Sequence, residues 1–131
     1  LHAADAAAVE KAGEAILAGI GAEASHQLKP RILYSDVIED ITDQHAVIVN
    51  RNRQASMVLP GETLLVYEMT PALFAAMAAN EAERVAPDVT VVDIAMIGAT
   101  GRIYMSGPTE SVIRARDEIT RVLESVVGRE Q

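Results

Sequence analysis

Apolar positions recur at helical spacing at both ends of the chain and fall into short β-like runs between them. Residues 5–20 predict a helix, because Val9, Ala12, Ile16 and Ile20 share one side and Glu10, Lys11 and Glu14 the other. Gly19 and Gly21 mark its end, and residues 24–30 read as a polar connector. Two runs rich in β-branched residues, 32–41 and 45–50, predict strands, and Asn50-Arg51-Asn52-Arg53-Gln54 predicts a polar, basic turn. A short apolar stretch at 57–59 precedes Pro60-Gly61, a strong turn signal. Residues 64–69 predict a strand. Thr70-Pro71 then predicts a helix start, with Thr as cap and Pro at the first helical position. That Ala-rich helix is expected to reach about Val85 and stop before Pro87. Residues 89–97 and 102–106 predict an antiparallel pair around Gly98-Ala99-Thr100-Gly101. Gly107-Pro108 opens a last helix to about Val127, with the stripe Val112, Ala115, Ile119, Val122 and Val126.

This order predicts an α+β fold, an antiparallel sheet with helices packed on one face. A shift of 103 residues lays the first helix on the last: Val9 falls on Val112, Ala12 on Ala115, Ile16 on Ile119 and Ile20 on Leu123. The shift is about one domain long. The opening helix therefore reads as the closing helix of an earlier copy of the same domain, and with Leu1 as the first residue the chain would begin inside a tandem-domain protein.

Composition narrows the function classes. The 131 residues make one domain's worth of chain, half of it hydrophobic but only 3% aromatic. The apolar fraction is largely Ala and Val, which suits thin, closely packed layers. The absence of Cys excludes disulfides, Cys-ligated zinc and thiol catalysis. A formal net charge of −8 argues against a nucleic-acid partner and against an anionic membrane surface, since both call for a basic face. No apolar run reaches transmembrane length.

The candidate chemistry is sparse. Gly98-Ala99-Thr100-Gly101 resembles the start of a dinucleotide fingerprint, but that site needs a helix after the glycines, and Arg102-Ile103-Tyr104-Met105 reads as a strand. A tight hairpin explains the glycines better. His2, His26 and His45 have no metal-ligand spacing, and His45 near Asp40 and Asp43 is the one carboxylate–His pairing open to acid–base work. No Ser has a nucleophile context, and no carboxylates pair. Arg51 and Arg53 form the local basic cluster, a loop-contact candidate. Asn80 and Arg84, one turn apart on an Ala-rich helix, are candidates for a subunit-edge contact. Neither a metal site nor a cofactor is implied, and no enzyme activity is expected.

Three stretches together resemble a family. They are Leu64-Leu65-Val66-Tyr67-Glu68-Met69-Thr70-Pro71, then Ala78-Ala79-Asn80-Glu81-Ala82-Glu83-Arg84, then Val91-Val92-Asp93 and Met96 through Gly107. Residues 43–53 and Ser56-Met57-Val58-Leu59-Pro60-Gly61-Glu62 match as well. In order, they resemble a bacterial microcompartment (BMC) shell domain, closest to the circularly permuted, tandem-domain proteins that form trimers shaped like hexamers. The match spans roughly residues 31–127.

The resemblance implies a permuted BMC domain, ferredoxin-like, at 30–131. It makes residues 1–29 the closing helix and linker of a preceding domain. It implies a cytoplasmic structural shell protein with no cofactor. Its partners would be copies of itself as a homotrimer or pseudo-hexamer, with stacking left open, other shell proteins, and small metabolites crossing a central pore. Met96, Ile97, Gly98, Ala99, Thr100, Gly101 and Arg102 would line or border that pore. Arg84, with Asn80, would match the basic position at the tile edge, where the family usually has Lys. The competing reading is a ferredoxin-like regulatory domain that binds a small ligand at a subunit interface.

Overall fold

The computed structural model describes residues 2–51 and 56–130. The chain divides into two compact units. The first comprises residues 2–29 with 127–130, and the second comprises Pro30–Val126.

The second unit is built on a four-stranded antiparallel sheet. The strands are β1 (Arg31–Ile38), β2 (Thr63–Thr70), β3 (Thr90–Ile97) and β4 (Thr100–Gly107), in the spatial order β1-β2-β4-β3. Strand β2, one of the two inner strands, buries Leu65, Tyr67 and Met69 on one face and Leu64 on the other. One face packs under the helices, numbered here in chain order, α3 (Phe74–Val85) and α4 (Thr109–Ser125). Helix α3 buries Ala75, Ala78, Ala79 and Ala82, an i, i+3, i+4, i+7 stripe of methyl groups. Against it lie Val112, Ala115, Ile119 and Leu123 of α4 and Leu65, Tyr67, Met69, Ile103 and Met105 of the sheet, all at most 1% exposed. The small α3 side chains let helix and sheet approach closely.

The opposite face holds a smaller core of Ile41, Ala46, Val58, Leu64 and Val92, flanked by Ile38, Val49, Val66 and Tyr104. This core corrects the strand expected at 45–50. The segment is a helix, α2 (Asp43–Asn50). The Thr42 hydroxyl caps it by accepting from His45 N at 3.3 Å, and Asp43 sits in the first turn. Ala46 and Val49, three apart, face the sheet, whereas Val47 and Ile48 are exposed. The β-branched run favoured a strand, and capping with tertiary packing overrode it.

Two further boundaries move. Strand β1 ends at Ile38, not Ile41, because Asp40 takes a positive φ of 52° and turns Ile41 into the second core. Thr70-Pro71 does not open the helix. Thr70 stays in β2, paired with Arg31, the Thr70–Pro71 bond is cis, and the chain turns through 71–73 before α3 begins. Strand β4 begins at Thr100 rather than 102.

In the first unit, Asp5 caps α1 (Ala6–Gly19), accepting from Ala7 N at 3.1 Å. A 3₁₀ turn at Ala24–His26 occupies the polar connector. Leu28 bridges Arg129, and the Gln27 amide donates to the Val127 carbonyl at 2.7 Å. Helix α1 buries no residue: Ile16 is 51% exposed and Ile20, just past its end, 71%. Their counterparts 103 residues later, Ile119 and Leu123, are core residues.

Candidate functional site

Strands β3 and β4 form a hairpin whose register pairs Ile97 with Thr100 and Met96 with Gly101. The turn is therefore only Gly98-Ala99. Gly98 has φ +62°, the backbone that a two-residue II′-type hairpin asks of its first central residue. A strand follows, so the helix that a nucleotide phosphate would need is not there.

Two threonines hold the tip. Thr100 Oγ1 donates to the Ile97 carbonyl at 3.1 Å, and Thr70 Oγ1 donates to the Ala99 carbonyl at 3.2 Å. Gly101 answers to a different constraint. Its position faces the entry to α3, where a Cβ would enter the envelope of the Ala72 carbonyl oxygen and lie 2.7 Å from the Ala75 Cβ. So Gly98 is needed for its dihedral and Gly101 for space. Met96 and Ile97 are more than half exposed beside the tip, which carries no charge from Met96 to Gly101.

Arg102 lies on the sheet face away from α3 and α4, directly across from Glu68 on β2. Its Nε and Nη2 both donate to Glu68 Oε2, at 2.9 and 2.6 Å, and its Nη1 donates to the Tyr104 hydroxyl at 3.4 Å. The Tyr104 hydroxyl, then the Glu68 carboxylate, raise the guanidinium pKa above its ordinary value. Arg102 is thus a compensated, half-buried charge. Sequence reasoning named it but missed Glu68, because the pairing exists only once the β2–β4 register is known.

Along α3, Asn80 and Arg84 are exposed and meet through a residue not singled out beforehand. Asn80 Nδ2 donates to Glu81 Oε1 at 3.0 Å, and Arg84 Nη1 lies 3.5 Å from the same oxygen. The exposed Leu73 and Met77 continue this face toward the helix start. Arg51 is exposed at the end of α2, and Arg53 lies outside the described residues. His45 contributes its backbone N–H to the α2 cap. Among the described residues no three His, Cys, Asp or Glu side chains are grouped to hold a metal, and no helix is long and apolar enough to cross a membrane.

Asn50, also unflagged by the sequence, clamps the segment after α2. Its amide donates to the Val58 carbonyl at 2.7 Å and accepts from Val58 N at 2.9 Å. Glu62 closes the same loop, accepting from Leu59 N at 3.1 Å and from the Ser106 hydroxyl at 2.6 Å.

This fold recurs in known proteins. A double-ringed trimeric shell protein of the RMM microcompartment is 66% identical, with a TM-score of 0.96 over 99% of this chain and 64% of that one. The chain is homologous to microcompartment shell proteins. A fused permuted hexameric shell protein of the same compartment is 46% identical, with a TM-score of 0.86 over 93% of this chain and 61% of that one. The carboxysome shell protein CcmP of Synechococcus elongatus is 38% identical over 99% of this chain and 61% of its own length. The chain spans about half to two thirds of the curated relatives it matches. No protein-family model matches it.

Proposed function

We propose that the chain is a structural, pore-bordering part of a microcompartment shell subunit. The observation that carries this is its 66% identity, at a TM-score of 0.96, to a double-ringed trimeric shell protein. The protein then assembles as a trimer of pseudo-hexameric outline, tiles with other shell proteins, and stacks as paired rings. Copies of Gly98–Arg102, with Met96 and Ile97, border a central opening for small metabolites, while Asn80, Glu81 and Arg84 lie at the tile edge. A hairpin tip pinned by two threonines suits a fixed rim, uncharged from Met96 to Gly101 and with Arg102 paired to Glu68 at its base.

Helix α1 fits the closing helix of a preceding domain. The positions that α4 buries as core are exposed on α1, so a second sheet would supply their cover. The test is the native mass and symmetry of the full-length protein. A trimer, or two stacked trimers, with a central opening is expected. A discrete dimer that does not sheet out at high concentration would overturn this reading in favour of a regulatory domain.

A further inference from the structure

Helix α2 carries an exposed stripe with a definite order. Asp43, Val47 and Arg51 follow one another at i, i+4 and i+8, with Gln44 and Ile48 alongside. Val47 is 68% and Ile48 67% exposed. These two line a shallow depression of about 300 Å³ with Asp43 and Gln44. From start to end the stripe runs acidic, apolar, basic. The Asn50 clamp holds Val58 inward beside the end of the helix, leaving its neighbours Met57 and Leu59 more than half exposed.

Such a stripe complements itself. An eight-residue helix is about 12 Å long. Two copies laid antiparallel across a twofold axis near Val47 set Asp43 of each opposite Arg51 of the other, with Val47 and Ile48 between. A parallel match would oppose like charges. We propose that this face of α2 is the surface through which two rings of the assembled protein stack, each copy covering the same face of a copy in the other ring. This rests on the double-ringed shell reading above. A twofold, isologous contact is what joins two identical rings face to face. One helix pair falls short of the roughly 1,200 Å² of a stable interface, but a trimeric ring repeats it three times, so weak contacts add as avidity.

The test uses the full-length protein at fixed ionic strength, with native mass spectrometry and light scattering. Wild type is expected as paired trimers. Ile48→Glu should halve the mass, leave the trimer intact and leave the circular dichroism unchanged. Asp43→Arg and Arg51→Asp should each raise the half-stacking concentration about tenfold or more, and the double exchange should restore it. An Ile48→Glu protein that keeps the doubled mass would overturn the surface assignment while the double ring survives. Single exchanges without effect, or a double exchange that fails to rescue, would overturn the antiparallel pairing. Breakdown to monomers would make α2 a lateral contact and overturn the proposal. A wild type found only as single trimers would remove the double ring itself, and this surface with it.

Discussion

Exchanging each of the two hairpin glycines for alanine separates backbone freedom from space. At Gly98 an added Cβ meets nothing within 4 Å, so Gly98→Ala should cost only the left-handed dihedral. That is about 1–3 kcal/mol for a non-glycine residue held in a sparsely populated backbone region, partly offset by the stiffer unfolded chain, for a net loss of about 1 kcal/mol. At Gly101 the obstacles are a carbonyl oxygen and a Cβ, neither of which can move by changing rotamer. Relief needs a shift of the 71–75 turn against β4. Overpacking of this kind costs about 1–3 kcal/mol, and with two hard contacts the upper end applies. For a chain of this size the difference corresponds to a Tm about 4 °C lower for Gly98→Ala and about 10 °C lower for Gly101→Ala. Thermal unfolding of the full-length variants at one protein concentration measures it, since assembly makes Tm concentration-dependent. Adding Ala75→Gly to Gly101→Ala should recover part of the loss, because the Ala72 carbonyl stays. If Gly101→Ala melts at or above Gly98→Ala, the close approach to α3 is wrong.

Removing Arg102 as Arg102→Met should destabilise more than Glu68→Gln, because the first leaves a half-buried carboxylate without its guanidinium. A double-mutant cycle in urea should give a coupling of about 1 kcal/mol, reduced because both side chains retain some exposure. Asn50→Ala should cost about 1–3 kcal/mol and raise amide exchange at Val58, since both backbone groups of that residue lose their partner. The Ser111 hydroxyl, donating to Asp88 Oδ2 at 2.6 Å, is the main cause holding the Asp88 pKa below its ordinary 3.8. A depressed folded pKa adds stability above the unfolded value and loses it as pH falls through the folded one. Wild type should therefore lose stability below about pH 4 more steeply than Asp88→Asn, as read from urea midpoints across that range.

The sheet and its two long helices were legible because their signals are local. The stripe of α4 and the runs at 64–69 and 89–97 carry their period in consecutive residues. Residues 45–50 were not, because their Ile and Val content pointed to a strand while the deciding facts were a Thr42 cap and the pocket that receives Ala46 and Val49. The hairpin itself was visible, yet Gly98-Ala99-Thr100-Gly101 could not reveal that its two glycines serve different ends. That distinction depends on Ala72 and Ala75, some 26–29 residues earlier in the chain. The site's polar ties were hidden for the same reason: Glu68 finds Arg102, and Thr70 finds Ala99, only through register and turn closure. Glu81 was within view of Asn80 and Arg84 and could have been found from i, i+1 and i, i+3 spacing alone.

Helix α3 has a mechanical consequence. It runs from Phe74 to Val85, about 18 Å, with Ala75 against Gly101 at one end and Arg84 at the other. Its own side of the seam is methyl groups alone, packed closely against the sheet and α4. The helix is therefore a stiff strut. In the proposed assembly, a load on Arg84 from a neighbouring tile would reach the base of the hairpin through this rod, coupling the seams of a lattice to the width of its openings.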